Sequence, residues 1–275
     1  MAVLGSDPAG GIADATGPRV SVVVPVKDDA PHLAACLRAL AQQSATVHEI
    51  VVVDNGSTDD SAAVARAAGA VVVPCDAPGI PAAAARGYDA ATGDVILRLD
   101  ADCRPDRAWV ARMLALLAAD PRAAAVSGRA TFVDGPRALR RPLAALYLGT
   151  YVVLASAALG HPPLFGSNMA MRRDAWLAAS PHVHRDDPEL HDDLDLAFHL
   201  GERDGIRWST AAGMGMSMRP FGTGRGLTRR LVRGLRTVAV HWPVDFPPHR
   251  WARRATAALE AASAAPRVAR GQGRA

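Results

Sequence analysis

Apolar positions along the chain follow two periods. Short runs rich in β-branched residues, at 20–26, 49–53, 70–73, 94–99 and 124–132, are too short for helices and predict buried strands. Between them the period lengthens to that of a helix. Residues 31–43 place Leu33, Cys36, Leu37 and Leu40 on one face, and 58–68, 80–91 and 106–119 read as further helices. Strands alternating with helices predict parallel βαβ units. The expected fold is therefore α/β, a mostly parallel central sheet with helices on both faces.

Three stretches stand outside this alternation. Residues 1–18 are small, polar and punctuated by Gly and Pro, which predicts a disordered leader; they lack the basic-then-apolar pattern of a secretion signal. Residues 143–160 form an uncharged run at the lower length limit for a membrane span. Its Tyr147, Thr150, Tyr151, Ser156 and two glycines favour a packing helix. Beyond residue 218 the chain becomes strongly basic.

Composition narrows the class. The chain has 275 residues, 49% of them hydrophobic and 21% charged, which excludes wholesale disorder, collagen and a multi-span membrane protein. Cys36, Cys75 and Cys103 are too few and too scattered for a disulfide framework, so a reducing cytoplasm is expected. The net charge of +4 hides an asymmetry: residues 1–218 balance to −6, whereas 219–275 set 12 arginines against Asp245 and Glu260. Such a tail suits phosphates or an anionic membrane surface, with peripheral contact at the membrane's inner face as one expectation. In 225–236, arginines 225, 229, 230, 233 and 236 alternate with Leu227, Leu231, Val232 and Leu235, predicting a basic amphipathic helix. The cluster lacks interleaved aromatics or a reading motif, so no nucleic-acid partner is expected.

Open α/β sheets bind ligands beyond the carboxyl ends of their strands, and here those ends carry acids. The first ends in Lys27-Asp28-Asp29, the second in Asp54-Asn55-Gly56-Ser57, the fourth in Asp100-Ala101-Asp102. Two carboxylates at i and i+2 after a buried strand suit a hard divalent cation such as Mg2+ or Mn2+. Asp54 either caps the following turn or accepts from a nucleobase N–H. Asp192, Asp193 and Asp195 open a further helix, where its dipole favours acids. Their crowding also suits a general base. His182, His184, His191 and His199 show no helical His-x-x-x-His pair with an acid and read as loop or surface residues. Cys103 has no partner base and is assigned no nucleophilic role.

The ordered set of motifs resembles glycosyltransferase family 2 and its GT-A fold. The matching pieces are VSVVVPV at 20–26, VVVDNGSTDDS at 51–61, ATGDVILRLDAD at 91–102, GSNMAMRR at 166–173 and DDLDL at 192–196. They cover about residues 19–205. The resemblance implies a Rossmann-like GT-A domain over 19–218, with a donor nucleotide-binding half at 19–132, an acceptor half at 133–218 and a basic helical extension at 219–275. It implies an inverting, metal-dependent transfer from a UDP-, GDP- or dTDP-sugar to a glycan, lipid-linked or small-molecule acceptor.

In that reading Pro25, Val26 and Asp28 lie beside the nucleoside and Asp54 contacts the donor base. Asp100, Ala101 and Asp102 hold the diphosphate and its Mn2+ or Mg2+, with Asp100 and Asp102 as the ligands. Gly166 and Asn168 line the donor sugar. Arg86, Arg225 and Arg229 are assigned to the diphosphate. Asp193 matches the family's base, with Asp192 beside it. Three positions depart from the family pattern: Arg86 falls two places late in its motif, Asp192 replaces a glutamate, and Arg98 replaces an apolar strand residue. A nucleotidyltransferase and a non-catalytic nucleotide-sugar binder are the alternatives, although 26–31 is not the Gly-rich, Arg-containing loop of the former.

Overall fold

The structure is a computed structural model that describes residues 17–201, 205–219 and 224–264. The leader expected over 1–18 therefore lies outside the described residues, apart from its last two. β1 (Val20–Val26) is buried along its whole length, and its side chains alternate between two cores. Val20, Val22, Val24 and Val26 join Leu33, Cys36, Leu37 and Leu40 of α1 (Ala30–Leu40) on one face. Val23 joins Val51 and Val53 of β2 (Glu49–Asp54) and the alanines of α3 (Ile80–Ala90) on the other. This period-2 division sets the layers: one core on each side of the sheet. Gly87 lets α3 lie flat on the strands, since a Cβ there would overlap Val23 and Val53.

The remaining strands are β3 (Val71–Pro74), β4 (Val95–Arg98), β5 (Ala125–Phe132), β6 (Met169–Arg172) and β7 (Ile206–Met216). All seven form one sheet in the order β3-β2-β1-β4-β6-β5-β7. β6 alone runs antiparallel to its neighbours. The expected α/β architecture is thus present, with helices on both faces. Chain order reverses at β1, which lies between β2 and β4, and this opens a cleft beyond their carboxyl ends. Because β6 is antiparallel and Met169 pairs with Arg98, residues 166–168 enter the sheet beside the acids that leave β4.

The sequence periodicity starts two helices about one turn early: α2 is Ser61–Ala67 and α4 is Trp109–Ala118. Side-chain turns occupy those extra residues. Asp59 accepts from the backbone of Ala30 and Ser61, and Asp106 from that of Ala108. α5 (Arg137–Leu159) packs one edge, through Ala144, Leu148, Ala155 and Leu159. It ends at Gly160, whose φ of 77° is left-handed. Only 22% of its apolar stretch is buried, and Leu146, Val153 and Leu154 are exposed. By length and composition it could cross a membrane.

α6 (Arg173–Ala179) and α7 (Asp192–Leu200) follow, and then α8 (Gly224–Val240) and α9 (Pro247–Ala264). The basic extension is not a free appendage. Arg250 is buried, donating to the Leu159 carbonyl at 2.9 Å and to Asp245 at 3.0 Å, with its guanidinium over the Phe198 ring. Trp109 and Trp176 are core residues, whereas Trp242 and Trp251 are about half exposed.

Candidate active site

The nucleoside end of the cleft is built from turn chemistry. Asp28 adopts a left-handed φ of 49°, which a short acid tolerates by bonding locally. Its Oδ1 accepts from the Thr58 N–H at 2.7 Å and from the Thr58 hydroxyl at 3.1 Å, which together hold its pKa below the usual value. Asp54 Oδ1 accepts from the Ser57 N–H at 2.9 Å, closing an Asx turn. Asn55 is buried and latches this turn to the β3–α3 loop, donating to the carbonyls of Cys75 and Ala77 and accepting from Gly79 N–H. Pro25 and Val26 are buried strand residues. Arg86 is exposed on α3, and among the described residues it forms no ion pair with the cleft acids.

The β4 exit gathers more than its two acids. Asp100 is engaged on both oxygens: Oδ1 accepts from Arg98 at 2.9 Å, and Oδ2 accepts a short hydrogen bond from the Ser167 hydroxyl. Asp102 instead meets Arg219, whose guanidinium bridges Asp102 Oδ2 at 2.7 Å and Asp29 Oδ2 at 2.6 Å. Burial and the neighbouring Asp100 raise the pKa of Asp102, against the pull of Arg219. Ala101 is buried between them. Burial drives the Cys103 thiol far above its ordinary pKa, so it stays an unreactive thiol, as expected.

Arg98, the departure within β4, explains how two distant acidic motifs meet. Its side chain is 3% exposed and reaches Asp100 at 2.9 Å and Asp192 at 3.6 Å. Gly166 makes room for it, because a Cβ at that position would overlap the guanidinium. The Gly166 N–H then donates to Asp193 Oδ2 at 2.8 Å, and the next residue, Ser167, donates to Asp100. Two consecutive residues thus clasp both acid motifs. Burial, reinforced by Asp193 and Asp100 and opposed by Arg98, pushes Asp192 up to about 6. Asp193 also accepts from the Leu194 N–H at 2.8 Å, which fixes its carboxylate at the mouth of α7.

Two expectations need correction here. Asn168 does not face the cleft. It is fully buried, its Oδ1 accepting from Trp109 Nε1 and its Nδ2 donating to the carbonyls of Arg129 and Ala212. Those three bonds hold β5, β7 and α4 together and leave no group for a sugar. Arg229 is committed as well: with Arg233 it grips Glu189, at 2.7 and 3.0 Å, while Arg236 pairs with Asp187. The side chain of Arg225 lies outside the described residues, as do residues 222 and 223 of the 222–226 glycine segment.

The amphipathic helix is therefore turned around. Arginines of α8 face the loop before α7, and Leu227, Leu231, Val232 and Leu235 are exposed. The two guanidiniums hold Glu189 down to about 2. This carboxylate is depressed on folding, so its anchoring contribution is present above its ordinary value of 4.5 and is lost as pH falls through about 2. Glu189→Gln is expected to speed amide hydrogen exchange in α8 at neutral pH, and 1 M salt should reproduce much of that effect in the unmutated chain.

Sequence reasoning missed Asp29, Ser167 and Arg219. Asp29 was legible as a third strand-end acid, and Arg219 as the first residue of the basic segment. Ser167 gave no signal of its own. The histidine reading is also corrected. His184 and His199 are not isolated surface residues: with His241 they surround the buried Asp195. The overlooked signal was the i, i+4 spacing of Asp195 and His199 on α7. His182 alone is exposed as expected.

Comparison with known proteins fits this geometry. The family model described as Glycosyl transferase family 2 matches residues 21–177. The glycosyltransferase AglE of Haloferax volcanii is 32% identical over 105 residues, 35% of this chain and 34% of that protein. An undecaprenyl-phosphate 4-deoxy-4-formamido-L-arabinose transferase of Sodalis glossinidius is 34% identical over 118 residues, 37% of this chain and 34% of that protein. The chain thus matches about a third of the length of these relatives. Among solved structures, the Pyrobaculum calidifontis mannosyltransferase PcManGT, in complex with GDP-Man and Mn2+, superposes with a TM-score of 0.62 at 23% identity, covering 92% of this chain and 77% of that one.

Proposed function

The chain belongs to glycosyl transferase family 2, and from that premise we propose that it moves a sugar from a nucleoside diphosphate donor to an acceptor hydroxyl, with inversion. One observation carries the reading. The Gly166–Ser167 pair joins Asp193 to Asp100, so the acid that removes a proton and the acids that face the diphosphate share one rigid frame. A hydroxyl is a weak nucleophile, and Asp193 would take its proton as it attacks. Attack opposite the leaving group needs the base and the diphosphate site on different sides of the sugar. α7 and the β4 exit supply those two sides. Asp192, buried and paired with Arg98, positions Asp193 from behind.

Asp100 and Asp102 suit a divalent ion. Their oxygens and Cys103 Sγ lie within 4.8 Å of one another, the thiol is inert, and among the described residues the crowded acids are balanced only by arginine. PcManGT is solved with Mn2+. Bound at Asp102, with Asp100 beside it, Mn2+ or Mg2+ would offset the charge that develops on the departing diphosphate. Arg219 is the cation that Asp102 holds in this structure, and it would turn from Asp102 to the donor phosphates. Thermal unfolding with UDP-, GDP- and dTDP-sugars, with and without Mn2+, tests this. One donor should raise Tm by several degrees only with metal, and Asp102→Asn should abolish that rise. No response to any nucleotide would sink the reading.

The acceptor that fits best is lipid-linked, as it is for the undecaprenyl-phosphate transferase of Sodalis glossinidius. Exposed Leu146, Val153 and Leu154 on α5, Leu231 and Leu235 on α8, and Trp242 and Trp251 around α9 combine apolar surface with neighbouring arginines. Vesicles containing anionic lipid should sediment with the chain, and Leu231→Glu with Leu235→Glu should release it. Equal binding by that variant would move the contact from α8 to the exposed residues of α5, and no sedimentation of the unmutated chain would point to a soluble acceptor.

A further inference from the structure

A second polar cluster lies behind the cleft, on the far side of α7 from the base. Asp195, 4% exposed, is surrounded by three imidazoles: His184 Nδ1 at 2.7 Å, His241 Nε2 at 3.2 Å and His199 Nε2 at 3.9 Å, all measured to Oδ1. The other carboxylate oxygen, Oδ2, is occupied by the His184 backbone N–H at 2.8 Å. One oxygen is thus fixed by the backbone, and the other faces the rings.

The arrangement calls for a positive charge, a proton or a metal ion, between the rings and the carboxylate. His241 Nδ1 lies 2.8 Å from the Thr237 carbonyl, an acceptor, so Nδ1 carries the proton. In the neutral ring Nε2 is then a bare lone pair directed at a carboxylate oxygen. It has no hydrogen bond, and its side chain is 3% exposed. His199 Nε2 is likewise buried without a hydrogen bond. Two buried ring nitrogens without a hydrogen bond and a carboxylate oxygen therefore converge on one point.

We propose that His184, Asp195, His199 and His241 bind a structural Zn2+ ion. The four donor atoms lie within 4.8 Å of one another. Bonds of about 2.0–2.1 Å place tetrahedral donors about 3.3 Å apart, so the farther donors close in and His184 Nδ1, now 2.7 Å from Asp195 Oδ1, draws back by about half an ångström. Three imidazoles and a carboxylate, with no sulfur, suit Zn2+ rather than Mg2+. Thr237 is the outer partner that orients His241, and stacking on Phe198, with ring centroids 3.9 Å apart, fixes its plane. The ion would staple three pieces of chain: the loop before α7, α7 itself and the end of α8. It touches no reacting group; it holds α7, whose first turn presents Asp192 and Asp193. The proposal is independent of the transferase reading.

The test uses the full chain, stripped with a chelator and then given Zn2+ alone. It should retain a stoichiometric equivalent through desalting, and Co2+ in its place should give the intense visible bands of tetrahedral N/O coordination. Asp102→Asn should retain Zn2+ unchanged, which separates this site from the β4 acids. His199→Gln and His241→Gln should each weaken Zn2+ by at least the about 10–100-fold typical of losing even an outer partner. If either variant fails to fold, the Co2+ spectrum of the unmutated chain decides. No retained Zn2+, loss of Zn2+ in Asp102→Asn, an octahedral Co2+ spectrum, or undiminished affinity in the double histidine variant would each overturn the proposal.

Discussion

Asp193→Asn is expected to lower turnover by about 10²–10⁴-fold while leaving donor affinity within about threefold, the range that loss of a general base produces. The substitution is close to isosteric. The asparagine oxygen can still accept the Gly166 N–H that now reaches Asp193 at 2.8 Å, giving up only the local bond from the Leu194 N–H, so the α7 mouth keeps its link to Gly166. What disappears is the capacity to take a proton from the acceptor hydroxyl. Steady-state transfer with a competent donor, paired with calorimetry of donor and Mn2+, separates the two quantities. A variant that transfers sugar at the unmutated rate would remove Asp193 from the mechanism. A variant that also loses donor binding would assign it to the donor site instead.

Arg98→Met should cost about 3–5 kcal/mol of stability, the range found when one partner of a buried charge pair is removed. The guanidinium is 3% exposed and lies between Asp100 and Asp192. Without it the largely buried Asp192 loses its cation beside Asp100, and Asp100 keeps only Ser167 as a side-chain partner among the described residues. Denaturant midpoints at neutral pH measure the loss. Gly166→Ala should damage the same unit from the other side, because the added Cβ overlaps the guanidinium. The double variant should therefore lose much less than the two single losses added together. Full additivity, or a loss below about 1 kcal/mol for Arg98→Met, would show that Arg98 does not hold the two motifs together.

Much of the fold could be read from local patterns because its determinants are local. The run at 20–26 reads as a strand buried on both faces, since it is short, nearly continuous in apolar, β-branched residues and contains Pro25. The acids at 28, 54, 100 and 102 follow strands directly, and parallel topology sends those ends to one edge. The identity of the Asp192–Asp193 turn was equally plain. Boundaries were less so: side-chain turns at Asp59 and Asp106 occupy residues whose composition suits a helix.

The site beyond those acids depended on pairs that are distant in sequence. Arg98 looked like a misplaced charge within an apolar strand, and only the antiparallel entry of β6 puts Gly166 where it admits the guanidinium. Asn168 lies in the same motif as Gly166, yet the turn over 166–168 carries its side chain into the core, where Trp109, Arg129 and Ala212 meet it. Arg229 read as a phosphate ligand from its charge, and the fold instead brought Glu189 to it. Asp195 and His199 were visible as an i, i+4 pair, but His241 reaches them only through the packing of α8 on α7. The sequence by itself determined which strand ends carry acids and therefore where the cleft opens, because backbone period and strand direction are local properties. Only the tertiary structure decided which charge meets which, because a buried charge is set by the partners that long-range packing delivers.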